Sequence, residues 1–216
     1  MLIKTAIVTG ASSGIGAAVK RQLETRGVAV GDFSRHAGVD VTDVGAVARA
    51  FARYAELWSA EPGLLVSNAG ILEPSDFLDT PVEAWRRTVD VNLTGAFIVC
   101  QEFARRHIAA ETGGTVILIA STSANPPPHP GYLAYAASKA ALVSLGMGLS
   151  VALRPYSIKV YTLVLGPVAT PLRARLYPEE DPRSLLQSED VAYTVEYLAE
   201  SGAYLDANPI TMKKYA

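Results

Sequence analysis

A glycine-rich turn, Gly10-Ala11-Ser12-Ser13-Gly14-Ile15-Gly16, separates a short apolar run ending at Thr9 from a helical pattern that starts at Gly14. Few junctions constrain a chain more. Glycine lets the backbone bend tightly and come close to another group, and the helix start behind it offers unpaired N–H groups and the positive end of the dipole. Such a turn also serves plain packing of strand on helix. Its place directly after the first strand favours a dinucleotide pyrophosphate, because open α/β sheets bind ligands at the carboxyl ends of their strands. Gly10, Ser12, Ser13, Gly14, Ile15 and Gly16 are then the candidate phosphate contacts.

Short β-branched runs alternate with longer helical patterns along the rest of the chain, the pattern of βαβ units. Strands are predicted at Ile3–Thr9, Val28–Phe33, Leu64–Ser67, Thr115–Ala120 and Ile158–Leu165. Their nearly continuous apolar character fits a parallel sheet covered on both faces. Helices are predicted at Gly14–Arg26, Val44–Trp58, Val82–Val89, Leu93–Ala110, Leu133–Leu153 and Glu189–Glu200. The expected fold is a single α/β domain over residues 1–216, a doubly wound Rossmann-type parallel sheet with helices on both faces. Between Phe33 and Asp40 there is too little chain for a crossover helix and a full strand, so that side of the sheet should be thin. The proline-rich segments Asn125–Pro130 and Arg173–Arg183 read as loops.

Composition excludes several classes. With 19 basic and 21 acidic side chains the net charge is −2, which offers no footprint for nucleic acid or anionic lipid. Cys100 is the single cysteine, so no intrachain disulfide or multi-cysteine metal site can form. The spacing of His36, His107 and His129 suggests no metal site. No apolar run approaches the roughly 20 residues of a membrane span, so a soluble cytoplasmic protein is expected. The two longest helices are apolar on more than one face, which points to a homodimer or homotetramer.

The chain resembles the short-chain dehydrogenase/reductase family at several points in order. Thr9-Gly10-Ala11-Ser12-Ser13-Gly14-Ile15-Gly16 is similar to its TGxxxGxG turn, and Asn68-Ala69-Gly70 to its NAG motif. Asn92, in VNLTGAF, stands where the family carries a catalytic asparagine, and Tyr135-Ala-Ala-Ser138-Lys139 resembles YxASK. Gly166-Pro167-Val168-Ala169-Thr170-Pro171 is similar to the segment that folds over the nicotinamide, with Leu165 where a proline usually stands. The resemblance covers about residues 3 to 171. It implies an NAD(P)-linked interconversion of a carbonyl and an alcohol, with Asn92 holding a proton relay through its main chain. Asn68, Ala69, Gly70, Gly166, Val168 and Thr170 are then cofactor neighbours, Asn68 tying strands together beneath the ligand.

The residue spacing makes that chemistry sensible. Tyr135 and Lys139 sit one helical turn apart on one face. Lowering a phenol by two or three pKa units takes roughly 3 to 4 kcal/mol, and a cation about 4 Å away supplies about 4 kcal/mol at an effective dielectric near 20. The resemblance also calls for a serine at the end of the strand Thr115–Ala120. Counting back from Tyr135 reaches Thr122, whereas the strand register reaches Ser121; a strand cannot slip by one without turning every side chain over, so Ser121 is preferred and Ser123 stands second.

At the end of the second strand, Ser34-Arg35 resembles NADP-using members, with room beside the serine and an arginine for the 2′-phosphate. NADP is therefore expected, NAD remaining possible, since Asp32 lies two residues earlier. Asp40-Val41 resembles the family's adenine-contacting pair. The stretch from Leu172 to Ser184 is a brief lid, which predicts an open site for a small-molecule or carrier-bound carbonyl substrate. Tyr132, Leu133, His129, Leu72 and Tyr177 should lie near it. The competing reading is a catalytically silent nucleotide-binding regulatory or scaffold protein of the same fold.

Overall fold

A computed structural model describes residues 3–126, 129–201 and 208–215. Of the proline-rich segment 125–130, residues 127 and 128 lie outside the described residues. In chain order the elements are β1 (Thr5–Thr9), α1 (Gly14–Thr25), β2 (Ala29–Phe33), α2 (Val44–Trp58), β3 (Leu64–Ser67), α3 (Val82–Val89), α4 (Gly95–Ala109) and β4 (Gly114–Ser121). There follow α5 (Leu133–Ala152), β5 (Ile158–Leu165), β6 (Val168–Ala169), α6 (Pro171–Leu176), β7 (Leu186–Gln187), α7 (Ser188–Glu200) and β8 (Ile210–Met212). The main sheet is parallel throughout, in the order β2-β1-β3-β4-β5-β8.

Both faces of the sheet are buried, which is why the strands carry no polar alternation. On one face Val8, Val66, Ile117 and Leu163 pack with Ala18, Val19 and Leu23 of α1 and Val191, Val195 and Leu198 of α7. On the other, Ile7, Leu65, Val116 and Leu118 meet Val47 and Phe51 of α2, Val99 and Phe103 of α4 and Leu142 of α5. The chain crosses to opposite sides of β1 on its way to β2 and β3. That reversal opens a crevice at the carboxyl ends of β1 and β3, the place where doubly wound sheets bind ligands.

The thin side expected after the second strand is present. β2 is the edge strand, and the chain leaves it through a single 3₁₀ turn, Arg35–Ala37. Tyr54 of α2 covers part of this edge, its hydroxyl oxygen accepting from the Asp32 N–H at 3.3 Å. An edge amide capped this way cannot pair with another chain.

Four features depart from the sequence reading. A sixth strand, β8, pairs with β5; it is three residues long and half exposed, so it carries no apolar run to betray it. The lid read as loop contains α6, with Pro171 at its first position and the Thr170 hydroxyl capping the Arg173 N–H at 3.1 Å. A second small parallel pair, β6 with β7, closes the lid at its base. Finally, the break expected before the long helix at Leu93 is absent: α3 runs into α4 through a π-helical turn, Asp90–Thr94. The segment 130–152, which includes α5, is long and apolar enough by length and composition to cross a membrane. It nevertheless packs on β4 and β5 and buries Lys139 within its length, as a core helix does.

Candidate active site

The motifs converge on the carboxyl ends of β1, β3, β4 and β5. Gly10 adopts a left-handed φ of +64°, and a Cβ there would sit 3.0 Å from Ala69 Cα and Asn68 Nδ2. A Cβ on Gly16 would collide with the Gly10 carbonyl oxygen. The turn therefore requires glycine for close approach of backbone to backbone, and Asn68 is what it approaches. Asn68 Nδ2 donates to the Thr9 and Gly10 carbonyls at 3.0 and 3.3 Å, and Thr9 Oγ1 accepts from the Asn68 and Ala69 N–H groups at 2.9 and 2.8 Å. Asn68 locks β1 to β3 directly under the turn.

Ser13 caps α1 without a side-chain hydrogen bond, so the N–H groups of that first turn have no acceptor from the cap, and Ser12 and Ser13 are exposed beside them. Ile15 is half-buried behind them. Thr170, from the segment after β5, lies against Gly14, where an added Cβ would meet Thr170 Cγ2 at 3.3 Å. An uncapped helix start, glycines bared to it and a hydroxyl-bearing segment opposite fit the pyrophosphate of a dinucleotide. Gly166 and Val168 are buried on the same segment.

Ser34 is buried at the end of β2 and its Oγ accepts from the Ala37 N–H at 3.4 Å, whereas Arg35 beside it is exposed. Asp32 lies 3.8 Å from Lys20 Nζ, and its Oδ1 is buried with no partner among the described residues. Asp40 Oδ1 accepts from the Thr42 N–H and hydroxyl at 2.9 and 2.7 Å, bonds that hold its carboxyl below the usual range. Val41 is buried against Gly95 at the head of α4.

Asn92 sits in the π turn and is completely buried. Because the backbone is helical on both sides of it, Asn92 does not cap a helix. Its Oδ1 accepts from the Ile71 N–H at 2.7 Å, and its Nδ2 donates to the Ile71 carbonyl at 2.9 Å and to Ser138 Oγ at 3.0 Å. Ser138 in turn donates to the Tyr135 carbonyl at 2.7 Å. One buried amide thus joins the segment after Gly70 to the helix that carries Tyr135 and Lys139. Gly70 stands between these groups: a Cβ on it would meet Asn92 Oδ1 at 3.3 Å and Lys139 Nζ at 3.6 Å.

Ser121 accepts from the Ser123 N–H at 3.1 Å, and its own hydroxyl points to Ser123 Oγ at 3.2 Å. Thr122 instead opens a 3₁₀ turn. The expected lowering of the phenol by Lys139 is not what this chain does. Burial pushes the Tyr135 phenol up, against a smaller downward pull from Ser121, and burial drives the Lys139 ammonium down to about 8. Lys139 Nζ donates to the Ile119 carbonyl at 2.8 Å and lies 5.7 Å from the centre of the Tyr135 ring. Desolvation on burial acts on both groups and outweighs the attraction that the spacing promised. Among the described residues no group of three His, Cys, Asp or Glu side chains could hold a metal.

Tyr132 and Tyr177, which the sequence brought only to the neighbourhood, meet directly: the Tyr132 hydroxyl bonds the Tyr177 hydroxyl at 2.8 Å. The expected open site is to that extent closed by the lid. No spacing rule announces such a pair, since 45 residues separate its members.

Known proteins place this arrangement. Residues 32–181 match the short chain dehydrogenase family. The chain is 34% identical to the cis-4-hydroxycyclohexanecarboxylate dehydrogenase of Sinomonas cyclohexanicum, over 93% of this chain and 90% of that protein. It is 31% identical to the L-rhamnose 1-dehydrogenase (NAD(P)(+)) of Azotobacter vinelandii, over 94% of this chain and 92% of that protein. The crystal structure of a short-chain type dehydrogenase/reductase from Mycobacterium marinum superposes with a TM-score of 0.83 at 30% identity, covering 91% of this chain and 88% of that one. Glycine turn, buried asparagine and Tyr–Lys helix thus belong to an oxidoreductase, and the chain is a member of the short-chain dehydrogenase/reductase family, whose enzymes use NAD(P) and act on CH–OH groups.

Proposed function

We propose that the protein is an NADP-dependent oxidoreductase that interconverts a carbonyl and an alcohol on a small-molecule or carrier-bound substrate through Ser121, Tyr135, Lys139 and Asn92. The observation that carries this reading is the placement of Tyr135 one helical turn from the buried Lys139, whose Nζ lies 5.7 Å from the centre of the Tyr135 ring. A nicotinamide dinucleotide supplies or accepts the hydride when bound. Tyr135 gives its proton to the carbonyl oxygen during reduction, and a phenol raised by burial is in the neutral form that can donate. Ser121 donates a second hydrogen bond to the same oxygen. Lys139 returns the proton to Tyr135, and the Asn92 main chain supports the relay that resupplies Lys139.

Ser12, Ser13 and the glycine turn would hold the pyrophosphate, and Val168 and Thr170 the nicotinamide end. Asp40 and Val41 would lie against the adenine. Ser34 and the exposed Arg35 support NADP over NAD, the arginine pairing the 2′-phosphate. Phe97, Met147 and Val151 are exposed on α4 and α5, which supports association of identical chains as a homodimer or homotetramer. The named activity of the Sinomonas relative, on a hydroxylated ring carboxylate, supports a compact secondary alcohol as substrate.

The test is titration with NADPH and NADH by nicotinamide fluorescence, followed by oxidation of each against ketones, aldehydes and 3-oxoacyl thioesters. Tyr135→Phe is expected to lose about 10²–10⁴ in turnover while binding cofactor as before. Tight binding without turnover of any carbonyl would favour a silent nucleotide-binding protein instead.

A further inference from the structure

The lid and the start of α5 are joined by a pair of phenols held firmly from both sides. Tyr132 and Tyr177 meet edge-on, ring centres 6.5 Å apart at 84°, with their hydroxyls at 2.8 Å. On the lid side, the Arg173 guanidinium covers the Tyr177 ring at 3.8 Å and is itself fixed by two bonds to Glu180, at 2.6 and 2.8 Å. On the other side, the His129 ring stacks on Tyr132 at 4.5 Å, its Nδ1 accepting from the Gly131 N–H. The Gly131 carbonyl accepts from the Ser75 N–H at 3.0 Å, so this loop is tied to the segment that follows Gly70 as well. Tyr132 is the cap residue of α5, one turn ahead of Tyr135.

The lid is thus pinned to the helix that carries the reacting phenol. We propose that Tyr132 and Tyr177 are specificity-determining residues, whose hydroxyl bond holds the lid down over the approach to Tyr135 and selects compact carbonyl substrates over long or carrier-bound acyl groups. This rests on the carbonyl–alcohol reading above. A compact substrate reacts with the bond closed; a bulky one has to break it. Neutral phenols are required, and burial together with Tyr177 keeps the Tyr132 phenol up at about 12, so the bond persists through neutral pH.

The experiment uses the full chain with NADPH bound, as wild type, Tyr132→Phe, Tyr177→Phe and the double variant. Phenylalanine keeps both rings and the Arg173 contact and removes only the hydroxyls. Trypsin nicking after the exposed Arg175 and Arg183, followed by mass spectrometry, reads lid opening directly. Each single variant is expected to be nicked about fivefold faster, the loss of one ordinary hydrogen bond, and the double variant no faster than either. In parallel, kcat/KM for 4-phenylcyclohexanone relative to cyclohexanone is expected to rise about fivefold in each variant. Unchanged nicking, or effects of the two substitutions that multiply, would overturn the latch. Faster nicking with an unchanged substrate ratio would overturn the selecting role. Wild-type turnover of long 3-oxoacyl thioesters alone would overturn the selecting role, and oxidation of NADPH by no ketone, aldehyde or 3-oxoacyl thioester would sink the carbonyl reading and the selecting role with it, leaving the nicking result to judge the latch alone.

Discussion

Lys139 Nζ stands 5.7 Å from the centre of the Tyr135 ring while its hydrogen bond goes to the Ile119 carbonyl, 2.8 Å away. The helical spacing brings the two side chains together, but burial acts against the charge on each. It raises the phenol and lowers the ammonium, leaving both closer to neutrality than in water. A pair of this kind can pass a proton without either member holding a charge firmly.

The same burial sets a pH dependence of stability. The Lys139 ammonium titrates at about 8 in the folded chain against 10.5 when unfolded. Below pH 8 both states hold the proton, and the cost of the buried charge is present in full. Between about 8 and 10.5 the unfolded state binds more protons, so stability rises with pH. The gap corresponds to about 3 kcal/mol. Lys139→Met is therefore expected to unfold at higher urea than wild type at pH 7, by as much as about 3 kcal/mol, with the difference shrinking towards pH 10. A variant less stable than wild type at pH 7 would mean that the bond to Ile119 outweighs desolvation.

The serine assignment has a direct test. Ser121 pulls the Tyr135 phenol down against the effect of burial, whereas Ser123 hydrogen-bonds Ser121. Removing a donor to the reacting oxygen costs about 10²–10³ in kcat, so Ser121→Ala should fall by that factor. Ser123→Ala only loosens the orientation of Ser121 and should lose about tenfold or less, by the same steady-state assay. The reverse order would transfer the role to Ser123.

Much of the scaffold is legible from local pattern. β3, β5, α2 and α3 begin and end where periodicity and turn residues place them, because a buried parallel strand or an amphipathic helix carries its own signal. The motif residues are equally visible, since each needs a particular chemistry at a particular offset. What the sequence hides is what depends on partners far along the chain. β8 exists because β5 offers an edge, and the π turn at Asn92 forms where a buried amide finds Ile71 and Ser138. Tyr135 illustrates the same limit: its spacing from Lys139 is written in the sequence, but the burial that decides its titration is not.

Asn92 should matter to stability as much as to chemistry. Its side chain makes three hydrogen bonds in a site closed to water, two of them to the Ile71 backbone. Asn92→Ala strands the Ile71 N–H and carbonyl, at roughly 1–3 kcal/mol for each buried polar group left unpaired, so a loss of about 2–4 kcal/mol is expected. Urea unfolding monitored by tryptophan fluorescence measures it. A loss below about 1 kcal/mol would show that the backbone around Ile71 finds other partners.

The proposed preference for NADP rests on two adjacent residues whose environments differ. Ser34 is buried and capped into the turn that follows β2, while Arg35 projects from that turn into solvent. An exposed guanidinium gains little from a neutral hydroxyl but pairs well with a phosphate dianion, in a bond worth about 1.5–3 kcal/mol. Arg35→Ala should therefore raise KM for NADPH by about 10- to 100-fold and leave KM for NADH nearly unchanged. Because the guanidinium is exposed, the wild-type KM for NADPH should also climb with ionic strength more steeply than that for NADH. Ser34→Asp tests the other half: a carboxylate at the strand end accepts from ribose hydroxyls and repels a 2′-phosphate, so the preference should swing towards NADH. The two substitutions act on one ligand group, so their effects on NADPH should not add. If Arg35→Ala weakens both cofactors equally, the guanidinium reads the shared part of the dinucleotide, and the discrimination passes to Asp32 near the end of β2 and Lys20 of α1, 3.8 Å from it.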